Sequence, residues 1–173
     1  MVAETDRLRL WAWREEDWSA FAPIAQDPEV MRYITGGVPW TDERIREFVA
    51  KQIRRHEEEG YCRWRLEDKA TGATVGFCGG GRMHGLAEDE VEVGWWLARS
   101  CWGRGLATEA ARAAVTDLFA RVGLPRVVSM AAKENRASLR IMDKLGYRFL
   151  REAEYRGFLV EIRELTPTAF RVS

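Results

Sequence analysis

The chain has 173 residues, with 27 basic and 27 acidic side chains, so its formal net charge at neutral pH is zero. This length fits one domain with a sizeable core, predicted to span residues 1–173, and the lack of a basic surplus argues against a nucleic-acid partner. Three cysteines without CxxC spacing and two scattered histidines predict no metal site, while the absence of an apolar leader and of ~20 consecutive apolar residues predicts a cytoplasmic protein with no membrane partner.

The N-terminal part of the chain contains one strand-like pattern and three helix-like patterns. Polarity alternates with period two in the first of them, as it does in a half-buried strand. Two of the helical segments carry start signals, namely Pro28 at a first helical position and Thr41 as an N-cap. The predicted elements are a strand at 7–13, helices at 14–26 and 28–34, a Gly-Pro loop at 35–39 and a helix from 41 to about 59.

Strands dominate the rest of the chain. Three successive alternating segments read as an antiparallel meander, and two amphipathic helices follow. The predicted elements are strands at 61–66, 74–83 and 90–98, a helix at 103–122, a strand at 126–131, a helix at 135–145, and strands at 147–150 and 158–165. This order predicts an α/β fold in which one mixed, mostly antiparallel sheet carries helices on both faces.

Residues 95–109 form a segment in which a strand runs into a loop and a helix begins inside that loop. The first N–H groups of a helix lack intrahelical partners and lie at the positive end of its dipole. Gly103 and Gly105 let the backbone approach a ligand, and Arg99 and Arg104 can add charge-assisted hydrogen bonds. The segment therefore predicts a pyrophosphate site, with a plain glycine-containing turn as the alternative. It lacks the Gly-Lys-Ser/Thr of a Walker loop and the third glycine of the dinucleotide fingerprint.

Together with its neighbours, this loop resembles that of the GNAT superfamily of acetyltransferases, specifically its RimJ/RimL-like branch. The family loop has Gln or Arg, two residues, Gly, one residue, then Gly or Ala, and residues 102–107 match it except for Trp102 at the first position. Segments 5–10, 92–97 and 135–147 also resemble the branch. The resemblance implies a GNAT-like fold whose sheet splays at the cofactor site. It also implies an N-acetyltransferase with acetyl-CoA as cosubstrate and no metal.

The resemblance implies that the cofactor binds along the exposed edge of one strand and at the N-termini of two helices. It implies that pantetheine bonds to Trp96, Leu97 and Ala98 like an added strand, with the Leu97 amide as the oxyanion donor. Asn135 is expected to cap its helix and contact the cofactor, and Ser138, one turn later, to point at the CoA sulfur. The pyrophosphate is expected on the amides of Gly103, Arg104, Gly105, Ala107 and Thr108, and Arg99 and Leu106 are further expected cofactor contacts.

Acetyl transfer needs a neutral amine, whereas a free alkyl amine has a pKa near ~10, so some group must accept its proton. Glu92 matches the strand position of the base in several family members, and Glu90 is the reserve candidate. For either residue, an ordinary solvated strand carboxylate is the alternative. Many members protonate the thiolate with a Tyr at the position of Met142, which cannot donate a proton, so Ser138 is the obvious substitute.

The acceptor is expected to be a primary amine, either a protein N-terminus or a small molecule, with Tyr33 and Trp40 as contacts. The chain is expected to act as a monomer or homodimer. A non-catalytic acetyl-CoA-binding sensor and a nucleotide-binding protein stay open as other functions. Cys101 and His84 could suggest a thiol nucleophile, but direct transfer needs no acyl-enzyme. The glycines at 79–81 predict a bulge or a close backbone approach that makes room beside the cofactor.

Overall fold

The computed structural model describes residues 1–82 and 90–170. Short 3-10 turns lie before the first and fourth α-helices, at Glu15–Asp17 and Arg99–Cys101. The strands and helices, numbered in chain order, are β1 (Ala3–Glu4), β2 (Leu8–Trp11), α1 (Trp18–Ala25), α2 (Pro28–Thr35), α3 (Asp42–Glu59), β3 (Arg63–Asp68), β4 (Thr74–Gly81), β5 (Glu92–Leu97), α4 (Leu106–Ala120), β6 (Val127–Ala132), α5 (Arg136–Leu145), β7 (Arg148–Tyr155) and β8 (Phe158–Leu165).

The strands of the described residues form one eight-stranded sheet in the order β1-β2-β3-β4-β5-β6-β8-β7. All neighbouring strands are antiparallel except β5 and β6, which are parallel and register only at Glu92 and Val128. By contrast, six registered pairs join β4 to β5 and six join β6 to β8. The sheet therefore consists of two well-paired halves that separate soon after they meet, which confirms the mixed, mostly antiparallel prediction.

Helices cover both faces of this sheet, as predicted. On one face, the ring of Phe77 in β4 lies 5.8 Å from that of Phe21 in α1 and 5.2 Å from that of Phe48 in α3. On the other face, a Cβ placed on Gly80 would lie 3.2 Å from Leu118 of α4. Because aromatic and aliphatic side chains fill both layers, apolar burial holds the helices against the sheet.

The structure shifts some predicted boundaries for local reasons. The helix predicted at 103–122 begins at Leu106, because Gly103 and Gly105 adopt left-handed φ values of +71° and +78°. The strand predicted at 147–150 extends to Tyr155, because its pairing with β8 continues through the hairpin.

β1 is not predicted by the sequence pattern, and α1 begins later than predicted. β1 has only two residues, too few to show a period, and it forms by pairing with β2. The helix predicted at 14–26 begins as a 3-10 turn and becomes α-helical at Trp18. No helix within residues 1–82 and 90–170 is long and apolar enough to cross a membrane.

Candidate active site

A cleft opens where β5 and β6 part. Just beyond the Glu92–Val128 pair, the Ser129 hydroxyl, which is 1% exposed, donates a hydrogen bond to the Val93 carbonyl at 2.8 Å. This side-chain bond replaces the next link of the backbone ladder. Beyond it lies a cleft of about 460 Å³, which we call the splay cleft, lined by β5, β6 and the first turns of α4 and α5.

The edge of β5 presents alternate backbone groups to the splay cleft. The Ala98 amide donates to the Val75 carbonyl at 2.9 Å, so the even-numbered residues of β5 turn their backbone groups toward β4. Trp95 and Leu97 turn theirs to the opposite side, where β6 has moved away. The prediction that Trp96, Leu97 and Ala98 all offer backbone to pantetheine is therefore corrected. Leu97 and Trp95 turn their backbone groups toward the splay cleft, whereas those of Trp96 and Ala98 bond to β4.

Trp102, at the first position of the loop motif, bonds to the end of β5. Its indole N–H donates to the Leu97 carbonyl at 2.9 Å, while 48% of the residue stays exposed. The Leu97 carbonyl is thus occupied, and the Leu97 N–H is the group of that residue left facing the cleft. Nothing in the local sequence pattern predicts this bond, because it depends on how the loop folds back on the strand.

The N-terminus of α4 lies at the splay cleft and has no side-chain cap. Its N-cap is Gly105, so the amides of the next three residues have neither intrahelical nor side-chain partners at the helix start. A Cβ on Gly103 would meet nothing within 4 Å, so this glycine is needed for its φ and not for space. The predicted cofactor contacts of this segment that line the cleft are Gly103, Gly105, Leu106, Ala107 and Thr108. This arrangement suits an anion.

An N-terminal brace holds the α4 loop in place. The Glu109 carboxylate accepts hydrogen bonds from the Thr5 hydroxyl at 2.6 Å, the Arg7 amide at 2.9 Å and the Arg7 Nε at 2.7 Å. Arg7 also donates to the Arg104 carbonyl at 2.8 Å. Burial raises the pKa of Glu109, but the hydrogen bonds from Thr5 and Arg7 outweigh it and lower the pKa overall. No local sequence pattern predicts the brace, because its partners lie about a hundred residues apart.

The two arginines predicted at the pyrophosphate do not line the splay cleft. The Arg99 Nε lies 3.4 Å from the Asp27 carboxylate at the start of α2, and the Arg99 side chain is 63% exposed. Arg104 is exposed and contributes its carbonyl to the brace. The prediction of side-chain contacts from these arginines is therefore corrected. The cations that line the cleft are Arg32, Arg140 and Lys144.

The start of α5 lies across the splay cleft from β5. The Ser138 N–H donates to the Asn135 side chain at 3.2 Å, which confirms Asn135 as the N-cap. Both residues line the cleft, as the predicted cofactor contacts require. Met142 is fully buried in the core.

A second cleft, of about 480 Å³, meets the first. We call it the basic cleft, because the charged side chains that line it among the described residues are Arg44, Lys51, Arg55, Arg63, Arg82 and Arg156 with Glu47 and Glu92. Tyr33 lines both clefts, and Trp40 lines the basic cleft with its ring 4.8 Å from that of Trp96. Both predicted acceptor contacts are thus brought to this second cleft.

Glu92 lies at the junction of the two clefts and lines both. It is 5% exposed and bonded to the Arg63 guanidinium. A Cβ on Gly94 would lie 3.1 Å from a Glu92 carboxylate oxygen, so the glycine leaves the room that this side chain occupies. The partner Arg63 has no signal in the sequence, because β3 and β5 meet only in the folded sheet.

The reserve candidate Glu90 has a different role. It is 2% exposed and forms a bidentate pair with Arg151, at 2.9 and 2.6 Å, and it lines neither cleft. This carboxylate links the start of β5 to β7, so it is corrected to a structural ion pair.

The glycines at 79–81 make room for protein and not for cofactor. A Cβ on Gly79 would lie 2.2 Å from the Cys62 carbonyl of the chain entering β3, and one on Gly80 would meet Tyr61, Leu118 and Val91 at 2.9 to 3.2 Å. A close backbone approach is confirmed, and none of the three glycines lines the splay cleft.

The cysteines do not form a reactive pair within the described residues. Burial raises the pKa of Cys62 to about 12 and that of Cys78 further. Cys101 is buried beside the splay cleft, and His84 lies outside the described residues. Over residues 1–82 and 90–170, no group of three or more His, Cys, Asp or Glu side chains is placed to hold a metal.

Similarity to known proteins agrees with this geometry. Residues 7–148 match the family described as Acetyltransferase (GNAT) domain. Two Bacillus subtilis (strain 168) proteins are similar over most of their length. One, named Uncharacterized protein YkkB, is 33% identical over 147 residues and covers 84% of both chains. The other, Uncharacterized N-acetyltransferase YnaD, is 32% identical over 148 residues, covering 86% of this chain and 83% of that one.

Solved structures share the fold over nearly the whole chain. An acetyltransferase (GNAT family) from Bacillus anthracis aligns with a TM-score of 0.81 at 26% identity, covering 96% of this chain and 98% of that one. RimL, a ribosomal L7/L12 alpha-N-protein acetyltransferase in complex with coenzyme A, aligns with a TM-score of 0.81 at 18% identity, covering 97% and 98%. The fold is that of an acyltransferase. The chain belongs to the GNAT acetyltransferase family.

Proposed function

We propose that this protein transfers an acetyl group from acetyl-CoA directly to a primary amine while both substrates are bound. The observation that carries the proposal is the meeting of the two clefts at Glu92. One cleft offers open strand backbone and an uncapped helix start, and the other offers aromatic and charged side chains. A buried carboxylate at their junction lies where an amine from one cleft would reach a thioester from the other.

The residues of the splay cleft fit acetyl-CoA, which supplies the acetyl thioester. The Leu97 amide and the backbone of Trp95 suit the two pantetheine amides, because an extended chain bonds to an open strand edge. The uncapped amides of α4 suit the pyrophosphate, since a helix start binds anions. Arg140 and Lys144, four residues apart on α5, add positive charge beside the same cleft. Asn135 and Ser138 complete the wall.

Glu92 is proposed as the base. It accepts the proton of the amine, directly or through a water, while Arg63 holds the carboxylate in place. The amine nitrogen bonds to the acetyl carbon as the carbon–sulfur bond breaks, and the electron pair goes to sulfur. The Leu97 amide donates to the acetyl oxygen, where negative charge develops. Ser138 or solvent returns a proton to the thiolate.

A protein N-terminal amine is the first candidate acceptor, which would place the protein in the RimJ/RimL-like branch. RimL and a ribosomal-protein-S5-alanine acetyltransferase from Vibrio fischeri share the fold, with TM-scores of 0.81 and 0.78. A small-molecule amine is nearly as well supported, because the basic cleft is large enough for either. We further propose a cytoplasmic monomer or homodimer that acts without nucleic acid or membrane.

Release of free thiol from acetyl-CoA in the presence of a panel of peptides and small amines tests the proposal. Thiol release that depends on the acceptor is expected. The Glu92→Gln variant should lower kcat by roughly a hundredfold or more, the typical contribution of a general base. Glu47→Gln, at an exposed carboxylate elsewhere in the basic cleft, is the matched control.

Other results would contradict specific parts of the proposal. A Glu92→Gln enzyme with unchanged kcat would remove the base assignment. Binding of acetyl-CoA without thiol release from any acceptor would favour the sensor. Failure to bind acetyl-CoA at all would refute the assignment of the splay cleft.

A further inference from the structure

We infer that the acceptor carries an anionic group, a carboxylate or a phosphate, close to its amine, and that Lys51 and Arg55 of α3 bind this group in the basic cleft. The inference rests on the proposed function, because it assigns a substrate class to the same site. It follows from the charge, the packing and the hydrogen-bond donors of the described residues.

The lining of the basic cleft has an excess of positive charge. Among the described residues, six cations face it and only two carboxylates do. Arg44, Lys51 and Arg156 have no carboxylate within ion-pair distance in the described part of the chain. Arg44 lies 4.8 Å from the centre of the Trp40 ring, and Arg156 lies 5.2 Å from that of Tyr155. A cleft with uncompensated charge of one sign attracts ligands of the other.

Two guanidinium groups are packed together in this cleft. A Cβ on Gly81 would lie 2.8 Å from the Arg55 Nη1 and 3.4 Å from the Arg63 Nε, so both groups lie over the same glycine. Arg55 is only 9% exposed, and its carboxylate partner Glu59, at 3.3 Å, is shared with Arg82, at 3.5 Å. Glu59 thus lies within ion-pair distance of both cations, and an incoming anion would give Arg55 a further partner of opposite charge.

The pKa of Lys51 is lowered in this part of the basic cleft. Burial lowers the pKa of its ammonium, and so do the positive charges of Arg55, Arg63 and Arg54. An anion bound beside Lys51, Arg55 and Arg63 would counteract the repulsion between positive charges that lowers the pKa of Lys51.

Trp40 has a buried hydrogen-bond donor that lacks a partner among the described residues. Trp40 lines the basic cleft and is 8% exposed, and its indole N–H has no hydrogen-bond partner among the described residues. A buried donor without a partner is costly, and a carboxylate or phosphate brings several acceptor atoms.

The proposed sites for the amine and for the anionic group of the acceptor are close together. Arg63 bonds to Glu92 at the junction of the clefts and lies beside Arg55 at the α3 side. For an amine bound at Glu92, the anionic group at Arg55 would therefore be separated from it by about the width of the Arg63 guanidinium. This spacing suits an amine with an adjacent carboxylate or phosphate, in a small molecule or in the first residues of an acidic peptide.

Matched acceptors test the inference through thiol release. An Ala-Asp-Asp peptide amide is compared with its Ala-Asn-Asn isostere, and an aminoalkyl phosphate with the corresponding amino alcohol. The anionic member of a pair should have a kcat/KM at least tenfold higher, and the ratio should shrink as salt is added. The two pairs distinguish a carboxylate from a phosphate as the preferred group.

Variants then locate the contact. Lys51→Glu, at an exposed position of α3, should lower the preference for the anionic acceptor on the order of tenfold, which corresponds to about 1.4 kcal/mol. Arg54→Glu is the matched control, because it makes the same charge change at an exposed cation of the same helix that does not line the cleft. An equal loss of preference in both variants would overturn the assignment to Lys51 and Arg55.

Failure of the inference and failure of the proposed function give different results. Equal kcat/KM for anionic and neutral acceptors overturns the inference and leaves the acetyltransferase intact. Absence of thiol release from every acceptor contradicts the proposed function. Calorimetric binding of the same two peptides to the CoA-saturated protein then decides the inference. Tighter binding of the aspartate peptide supports it, and equal binding overturns it.

Discussion

Replacing Glu109 by glutamine tests whether the N-terminal brace positions the α4 loop. The carboxylate accepts three hydrogen bonds, one from Thr5 and two from Arg7, and Arg7 in turn holds the Arg104 carbonyl. Glutamine has the same shape but only one acceptor oxygen. It can keep the bonds of Thr5 and the Arg7 amide, while its NH2 group then faces the Arg7 guanidinium.

The expected loss of stability is about 2 kcal/mol. A hydrogen bond to a charged group contributes about 1.5–3 kcal/mol. The Arg7 side chain is 46% exposed and that of Glu109 is 17% exposed, so solvent screens the guanidinium contact and the lower part of this range applies. Loss of an acidic charge in the first turn of α4 adds a few tenths of a kcal/mol. For a chain of this size, about 2 kcal/mol lowers Tm by about 4–8 °C.

The effect of Glu109 depends on pH. The pKa of Glu109 is lower in the folded than in the unfolded chain, so its stabilisation is fully present above the ordinary carboxyl pKa of about 4.3. It is lost as pH falls through the folded-state pKa. Thermal melts should therefore show the full difference between wild type and Glu109→Gln at neutral pH and a shrinking difference in acid. The KM for acetyl-CoA should rise several-fold at neutral pH, because the loop loses its support.

Glu58→Gln, at an exposed carboxylate of α3 far along the chain from the brace, is the control and should change neither quantity. An unchanged Tm at neutral pH in Glu109→Gln would refute the reasoning, as would a difference that persists undiminished in strong acid.

Two further substitutions test the separation of β5 from β6 and the glycine loop before α4. Ser129→Ala leaves the buried Val93 carbonyl without its donor, so urea denaturation should show a loss of about 1–3 kcal/mol, and no change would contradict the role of this bond. Gly105→Ala forces an alanine to φ +78°, which costs about 1–2 kcal/mol and should raise the KM for acetyl-CoA without changing that for the acceptor. Gly123→Ala, with the same φ and open space around it, should lose similar stability and keep its KM, and equal KM changes in both would count against a cofactor role for Gly105.

Much of the fold could be predicted from the sequence because its signals are local. The Asn135 cap and the glycine that ends α5 act within a few residues, so both ends of this helix could be placed. The glycine loop before α4 is also a local signal, although the helix begins at Leu106 and not at the predicted Gly103. The backbone geometry on which the proposed phosphate site rests is thus set within a short peptide.

Side-chain partners could not be predicted in the same way. Arg99 pairs with Asp27, Glu90 with Arg151, and Arg63 with Glu92, and the partners come from different elements each time. A charged side chain in a sequence shows only that it needs a partner or water. Which partner it finds depends on strand order and on the register of distant strands.

The sequence by itself determined the glycine loop before α4, the order of the elements after β1 and the family to which the chain belongs, because backbone conformation and hydrophobic period depend on neighbouring residues. Only the tertiary structure decided which backbone groups of β5 face the cleft, since the register of β4 sets the direction of each N–H. It also decided that α3, β3 and the β7–β8 turn bring their cations together, because long-range packing creates a charged surface that no short segment contains.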